Sequence, residues 1–252
     1  MLLHSAMIED YFFKAIPRQH LDVGDGNMAY KTGLPVADLN LVYIRQDPRN
    51  WADVLRRSKE FFAQDQLEFV VITPTTLCIP EVVHTFKKQG YLPNGQSVSM
   101  GMEIDPANAL TNHDQLDIRL ETGALHNWMQ PLISAFESTE DICKAYATLH
   151  EQALTQGLNL FHFTLYIDNC PASSLTLTLH DGVARIDDMG TMTPFQGKGY
   201  ATHLMHYALQ EATRRGARYC CLESSDSGLA LYEKIGFQAL FRHQIYCITA
   251  RP

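Results

Sequence analysis

Two glycines stand close together in the segment Gln196-Gly197-Lys198-Gly199-Tyr200-Ala201. A predicted strand, Ala184 to Met192, leads into it. The residues after it form one helical face of small and apolar side chains: Ala201, Leu204, Met205, Ala208 and Ala212. Glycines let the main chain come close to a ligand, and the unpaired N–H groups of a first helical turn attract an anion. The segment therefore predicts a phosphate-binding turn between a strand and a helix.

The spacing of these glycines disfavours two common nucleotide sites. A Rossmann dinucleotide site requires a third glycine where this chain has Thr202. A Walker A loop requires serine or threonine after its Gly-Lys pair, whereas Gly197 and Lys198 are followed by Gly199. The phosphate ligand is therefore predicted to be neither a dinucleotide of the Rossmann type nor a nucleoside triphosphate.

The longer run from Thr191 to Ala201 resembles motif A of the GNAT acetyltransferases, whose signature is Arg/Gln-x-x-Gly-x-Gly/Ala. Gln196, Gly199 and Ala201 fill its three signature positions. Downstream, the stretch Leu231-Tyr232-Glu233-Lys234-Ile235-Gly236-Phe237 resembles the end of motif B, with a predicted strand between the two motifs. Two motifs in the family's order indicate a GNAT acetyltransferase domain over residues 114–252.

The resemblance implies acetyl-CoA as a cosubstrate. The backbone of the strand before the loop, at Thr191, Met192 and Thr193, would bond the pantetheine arm. A bulge of that strand, for which Gly190 is suited, would free backbone groups for the ligand. The residues expected to hold the pyrophosphate are Gln196, Gly197, Lys198, Gly199, Tyr200, Ala201 and Thr202.

Acetyl transfer to an amine requires a proton acceptor and a donor for the leaving sulfur. Tyr232 matches the family's tyrosine general acid, and a phenol with a pKa near 10 stays protonated at neutral pH. Arg185 stands where some members carry a glutamate base, so that role does not transfer. Strand alternation places Asp187 on the face of Arg185 and Asp188 on the opposite face.

For the base, Asp187 is the first candidate and Glu223, on the neighbouring predicted strand, is the second. Each is weighed against a structural ion pair, and a chain of water molecules is an equal alternative. The sequence leaves this choice open.

The predicted elements indicate an α/β (α+β) fold, a mixed and mostly antiparallel sheet with flanking helices. Asp181-Gly182 between two alternating runs predicts a two-residue hairpin. In the first half, Val70-Val71-Ile72, then a helix, then Phe86 to Tyr91 before an alternating strand resemble the strand, motif B helix and final strand of a degenerate second GNAT-like copy. This copy lacks the glycine loop, and chance similarity is the alternative. We expect this smaller copy at 1–113 not to bind coenzyme A, and the polar stretch Asp105 to Asp117 to be the linker.

Composition narrows the class of protein. The chain has 252 residues, 46% of them hydrophobic and 19% charged, which is typical of a folded globular protein. A net charge of -8 disfavours a nucleic-acid partner and mildly favours a cationic acceptor. The sequence contains no run of about 18 apolar residues, so no membrane span is predicted. The N-terminal stretch lacks the features of a signal peptide.

Cysteine and histidine usage predicts no metal site. The six cysteines form no Cys-x-x-Cys pair, and reduced thiols in the cytoplasm are the expectation. His203 and His206 share a helical face, while His150 and His162 precede the predicted site. No further ligand completes a zinc-binding spacing with them.

The sequence thus predicts a cytoplasmic N-acetyltransferase that moves an acetyl group from acetyl-CoA to the primary amine of a small molecule or peptide. The alternatives are a non-catalytic acyl-CoA-binding sensor, an enzyme that uses a longer acyl chain, and an interaction protein with relic motifs. The oligomeric state is open, with a homodimer as one candidate.

Overall fold

The computed structural model describes residues 2–105 and 116–248, so most of the predicted linker lies outside the described residues. The helices are α1 (Leu2–Ala15), α2 (Trp51–Ala63), α3 (Pro80–Lys88), α4 (His126–Ala135), α5 (Glu140–Thr155), α6 (Tyr200–Arg214) and α7 (Leu229–Ile235). The strands are β1 (Gln19–Gly24), β2 (Asn27–Lys31), β3 (Asn40–Tyr43), β4 (Val70–Pro74), β5 (Leu92–Glu103), β6 (Asp117–Glu121), β7 (Leu160–Ile167), β8 (Cys170–His180), β9 (Val183–Thr191), β10 (Tyr219–Ser224) and β11 (Gln238–Cys247). None of the helices in these ranges is both long and apolar enough to cross a membrane.

The chain forms two compact units. Unit 1 comprises Met1–Ala15, Met100–Glu223 and Gly228–Gln238, and unit 2 comprises Ile16–Ser99, Ser224–Ser227 and Ala239–Pro252. The sequence predicted two domains in chain order, divided at residue 113. In the structure, helix α1 belongs to unit 1 and nearly all of strand β11 belongs to unit 2, so the units do not follow chain order. Neighbours in sequence usually pack together, and these two terminal elements do not.

The sheet of unit 1 has the order β10-β9-β8-β7-β6, with the end of β5 beside β10. Strands β6 to β9 pair antiparallel, and β9 pairs parallel with β10. The predicted hairpin at Asp181-Gly182 joins β8 to β9, and both residues have positive φ, 47° and 75°. Asparagine, aspartate and glycine tolerate this backbone better than other residues.

Helices cover this sheet with their apolar faces. Helix α4 packs on β8 and β9, with Trp128 fully buried and its Nε1–H donating to the Leu175 carbonyl at 3.2 Å. Helix α6 packs on β7, β8 and β9. Of the predicted helical face, Leu204, Met205, Ala208 and Ala212 are buried and Ala201 is not fully buried. Leu209 is buried as well.

The sheet of unit 2 has the order β1-β2-β3-β4-β11-β5. Helix α2 links β3 to β4, which pair parallel from Leu41 beside Val70 to Tyr43 beside Ile72. Helix α3 then leads to β5, so the predicted succession of strand, helix and strand is confirmed. Strand β11 pairs antiparallel with β4, placing Ile245 beside Ile72.

Candidate active site

Strands β9 and β10 run parallel and then part. Their pairing begins with Val183 beside Tyr219 and ends with Ile186 beside Leu222. Strand β9 nevertheless continues to Thr191 and β10 to Ser224. Beyond Ile186, the edge of β9 toward β10 is therefore not used for pairing between these strands. Such an edge can form main-chain hydrogen bonds with an extended ligand.

A β-bulge lies on the other edge of β9. Asp187 stands opposite Thr176 of β8 and Gly190 opposite Ser174, so β9 holds one residue more than β8 between these pairs. Asp188 has a φ of 54° and accommodates the distortion. The predicted bulge is confirmed, but the residue with left-handed backbone is Asp188 and not Gly190.

The bulge also turns Asp188 toward the face of Asp187. Directly paired residues share a face, so Asp187 lies on the face of Thr176. Thr176 Oγ1 donates a 2.8 Å hydrogen bond to Asp188 Oδ2. The prediction that the two carboxylates point to opposite faces is wrong, because the bulge interrupts the alternation.

Gly190 fits closely against helix α4. A Cβ at this position would lie 3.0 Å from Leu132 Cδ2, 3.1 Å from Ala135 Cβ and 3.2 Å from the Pro131 carbonyl oxygen. We expect Gly190→Ala to lower the free energy of unfolding by about 1–3 kcal/mol through overpacking. Urea unfolding measures this loss. It should shrink in a Leu132→Ala background, and an unchanged stability of the single variant would contradict the packing argument.

The loop after β9 is fixed by one side chain and two glycines. Residues Thr193–Phe195 form a 3-10 turn, and Gln196 Nε2 donates to the Thr191 carbonyl at 3.0 Å. Gly197 and Gly199 have φ values of 72° and 84°, which residues with a side chain rarely adopt. The glycines are therefore required by the backbone of this loop.

The first turn of α6 has N–H groups without intrahelical partners. Its first intrahelical hydrogen bond runs from the His203 N–H to the Gly199 carbonyl at 3.1 Å. Gly199 is the N-cap and has no side chain to accept a bond, and the first turn contains no acidic residue. The N–H groups of residues 200–202 can therefore bind an anion at the end of this loop.

Tyr232 lies in α7 and belongs to unit 1. The side chain is buried, and its ring packs against Phe237 with centroids 6.1 Å apart. Burial and the negative charge of Asp187 raise the pKa of Tyr232 to about 12. The hydroxyl group therefore carries its proton throughout the neutral range and can act as a donor.

The geometry of strand, loop and helix agrees with a comparison to known families. Residues 125–237 match the model of the acetyltransferase (GNAT) family. These residues are a GNAT domain. The match indicates acetyl transfer from acetyl-CoA as the class of reaction of the GNAT domain. No curated protein sequence matches the chain.

Solved structures resemble the chain over most of its length. A GCN5-related N-acetyltransferase from Kribbella flavida is 14% identical with a TM-score of 0.70, and the match covers 97% of this chain and 95% of that one. A functionally unknown conserved protein from Staphylococcus epidermidis is 14% identical with a TM-score of 0.67, and the match covers 96% of this chain and 97% of that one. A tandem GNAT protein from the clavulanic acid biosynthesis pathway is 12% identical with a TM-score of 0.59, and the match covers 90% of this chain and 80% of that one. The predicted GNAT-like fold and its second GNAT-like unit are thereby confirmed.

The two predicted base candidates of the GNAT domain lie around Arg185. This arginine is 2% exposed, and its Nε and Nη2 lie 2.9–3.0 Å from the Asp187 carboxylate. Burial raises the pKa of Asp187, the charge of Arg185 opposes that rise, and the charge of Glu223 adds to it. Glu9 of α1 approaches Arg185 Nη1 at 3.9 Å. Asp187 thus forms a structural ion pair with Arg185, which is the alternative to a role as base.

The residues predicted to bond the pantetheine arm differ in whether their backbone N–H groups are already hydrogen-bonded within the protein. The Met192 N–H donates to the Ala172 carbonyl at 2.9 Å, and the Thr193 N–H donates to Ser134 Oγ at 3.0 Å. Because the Met192 N–H points toward β8, alternation directs the Thr191 N–H toward the opening beside β10. The residues from Gln196 to Gly199 are exposed at the start of α6.

Sequence reasoning missed a buried polar cluster around Asp188. Its other members are Tyr146, His150, His162 and Thr176. Polar side chains four residues apart on a helix face, as at 146 and 150, were the available signal. The cluster contains His150 and His162, which the sequence analysis considered as metal ligands. Within residues 2–105 and 116–248, no group of side chains is arranged to hold a metal ion.

Proposed function

We propose that the GNAT domain transfers the acetyl group of acetyl-CoA to a primary amine of a small molecule or peptide by direct attack. The observation that carries this proposal is the uncapped first turn of α6 beside the opening between β9 and β10. The pyrophosphate would accept hydrogen bonds from N–H groups of residues 197–202. The extended arm would run along β9 and bring the thioester toward Tyr232.

The reaction requires three contributions from the chain. The amine arrives as an ammonium ion with a pKa near 10 and must lose a proton before its lone pair can attack. Main-chain N–H groups at the β9 opening would stabilise the oxyanion. Tyr232 would donate its proton to the leaving sulfur and regain one from the nitrogen of the new amide.

In the described part of unit 2, the parallel strands β3 and β4 and the helix α2 that links them lack both features that support a coenzyme site. Helix α2 begins with Asn50 as N-cap, whose side chain accepts from the Asp53 N–H at 3.2 Å, and Asp53 adds negative charge to the first turn. The preceding strand β3 stays joined to β4, and the Ile44 N–H still donates to the Ile72 carbonyl at 2.9 Å. We therefore propose one coenzyme site per chain, in the GNAT domain.

Calorimetry with acetyl-CoA tests the site. We expect one molecule bound per chain, and Gly199→Ala to weaken binding by about tenfold because its φ of 84° becomes strained. Gly90→Ala is the matched control, since Gly90 has a φ of 85° and, like Gly199, open space around its Cβ position. Two molecules per chain, or equal effects of both variants on binding, would contradict the assignment.

An amine panel tests the reaction. Release of free thiol from acetyl-CoA is followed with small monoamines, polyamines and peptides that carry a free N-terminus or lysine. We expect turnover with one of these classes and mass-spectrometric detection of the acetylated amine. Binding of acetyl-CoA without thiol release in the presence of any amine would instead favour the non-catalytic sensor.

A further inference from the structure

Asp188 occupies a special position on β9. It sits in the bulge where β9 distorts, just past the point at which β9 leaves β10. Its side chain is 13% exposed, so it is mostly buried but not completely closed off from solvent. The carboxyl group of Asp188 is therefore largely shielded from water and still partly accessible, as a proton acceptor in an active site must be.

Three side chains surround this carboxyl group. The Tyr146 hydroxyl donates to Asp188 Oδ1 at 3.0 Å, and Thr176 Oγ1 donates to Oδ2 at 2.8 Å. His150 Nε2 lies 3.7 Å from the same Oδ2. These neighbours fix the orientation of the carboxyl group, and the facing nitrogen of the histidine is a donor in one tautomer and an acceptor in the other.

A second histidine extends the cluster into the protein. His150 Nδ1 lies 2.8 Å from His162 Nε2, and both histidines are fully buried. The outer nitrogens, His150 Nε2 and His162 Nδ1, have no hydrogen-bond partner among the described residues. A neutral pair of this kind has two tautomeric arrangements.

Each arrangement suits one charge state of Asp188. When His162 donates to His150, the proton of His150 is on Nε2 and faces an ionised carboxylate. When His150 donates to His162, its bare Nε2 faces a protonated carboxylic acid. The histidine pair can therefore accompany the gain and the loss of a proton at Asp188 without becoming charged.

The charges near Asp188 favour a proton affinity close to neutrality. Burial, and next the negative charge of Asp187, raise the pKa of Asp188 to about 7. Burial lowers the pKa of His162 to about 3 and that of His150 well below its ordinary value, so both stay neutral. The groups that face the cluster are Arg185 and Asp187 on β9, Tyr146 and His150 on α5, Thr176 on β8, His162 on β7 and Trp128 on α4.

The neighbouring carboxylate is less suited to the role. Both oxygens of Asp187 accept hydrogen bonds from Arg185 Nε, at 2.9 and 3.0 Å. Protonation of Asp187 would remove the counter-charge of a fully buried guanidinium group, which is costly. Among the described residues Asp188 pairs with no arginine or lysine, so its protonation leaves no such cation without its counter-charge.

We propose that Asp188 is the proton acceptor of the GNAT domain, directly or through one water molecule, with His150 and His162 as positioning residues. This inference rests on the proposed N-acetyl transfer. The N–H bond of the ammonium ion breaks and its proton passes to Asp188. The amine nitrogen bonds to the thioester carbon and the C–S bond breaks. The thiolate takes a proton from Tyr232, which the new amide nitrogen restores, and Asp188 returns its proton to solvent.

The test compares Asp188→Asn with Asp181→Asn. Asp181 also has a positive φ, 47°, but lies exposed in the β8–β9 hairpin, so both variants place asparagine on a left-handed backbone. With the amine found by the panel, we expect Asp188→Asn to lower kcat/KM at pH 7 by about 100-fold. The Kd for acetyl-CoA should not change in either variant, and Asp181→Asn should have the activity of the unaltered protein.

The pH profile separates catalysis from a structural role. In the unaltered protein we expect kcat/KM to rise with pH through an apparent pKa near 7, because Asp188 must be ionised to accept a proton. Asp188→Asn should lack this acid limb. His150→Leu should move the limb to higher pH and lower kcat/KM about tenfold below pH 7, and His150→Gln, which can still donate, should restore it.

Several outcomes overturn the inference. An acid limb that survives in Asp188→Asn, or one that disappears in Asp187→Asn or Glu223→Gln instead, assigns the base elsewhere. If Asp188→Asn does not fold, the profile of the unaltered protein decides, because a flat kcat/KM between pH 6 and 8 excludes a base of this kind. Absence of acetyl-CoA binding by the unaltered protein is a separate result that overturns the proposed function itself.

Discussion

Replacement of Tyr232 by phenylalanine is expected to lower kcat by about 100-fold or more while leaving the Kd for acetyl-CoA unchanged. Phenylalanine preserves the ring and its packing against Phe237, so α7 keeps its place. Only the hydroxyl proton is lost, and with it the donor for the leaving sulfur. Steady-state thiol release gives kcat, and calorimetry gives the Kd.

Tyr207→Phe is a suitable control for this experiment. Tyr207 also lies in unit 1, on α6, and its ring packs edge-on against Phe163 with centroids 5.3 Å apart. Removing its hydroxyl group should leave kcat within about twofold of the unaltered value, because Tyr207 is half-buried in the packing of α6 and is not one of the residues assigned to the site. An unchanged kcat in Tyr232→Phe would show that Tyr232 is a packing residue and would favour the acyl-CoA sensor.

Local patterns made the central part of this protein predictable. The glycines at 197 and 199, the apolar stripe of α6 and the Asp181-Gly182 hairpin depend on backbone conformations that neighbouring residues dictate. The same holds for Tyr232, because its place depends on a short helix that ends at Gly236. Features of this kind can be predicted from a window of about ten to twenty residues.

Features that depend on distant contacts were not predictable in the same way. Nothing in the sequence of β11 distinguishes a strand that pairs with β10 from one that pairs with β4. Likewise, helix α1 joins unit 1 through Ile8, which packs against Val183 and Cys221. Both placements depend on contacts with residues far away in the sequence, which no local window contains.

The faces of Asp187 and Asp188 were not predictable from the sequence for a third reason. Period-two alternation assumes a regular strand, and a single residue with a φ of 54° at Asp188 was enough to reverse the face of one carboxylate. Aspartate tolerates that conformation, but the sequence contains other aspartates that could adopt it equally well. The bulge became visible only through the pairing of β9 with β8.

Arg185→Met is expected to lower the free energy of unfolding by about 3–5 kcal/mol. Arg185 is 2% exposed, and its partners Asp187 and Glu9 are buried carboxylates that would then lack their cation. Methionine has a similar reach but no charge, so the main loss is electrostatic. Urea unfolding followed by circular dichroism measures the difference.

The loss should depend on pH in a definite direction. Burial raises the pKa of Asp187, while Arg185 opposes that rise, so its removal should raise the pKa further. A carboxyl group with a higher pKa in the folded state binds more protons than in the unfolded state. Folded stability therefore falls as pH rises from about 4 through the raised pKa and is constant beyond it. The deficit of Arg185→Met should thus be smaller at pH 5 than at pH 8.

Arg214→Met provides the matched control in the same unit. Arg214 pairs with Glu211 at 2.7 Å, but its side chain is 56% exposed on the last turn of α6. Exposed pairs contribute below about 1 kcal/mol, so this variant should unfold almost as the unaltered protein does at both pH values. Equal losses in the two variants, or a deficit of Arg185→Met that is largest at acid pH, would contradict the view that Arg185 neutralises buried carboxylates. In that event its bulk rather than its charge supports β9.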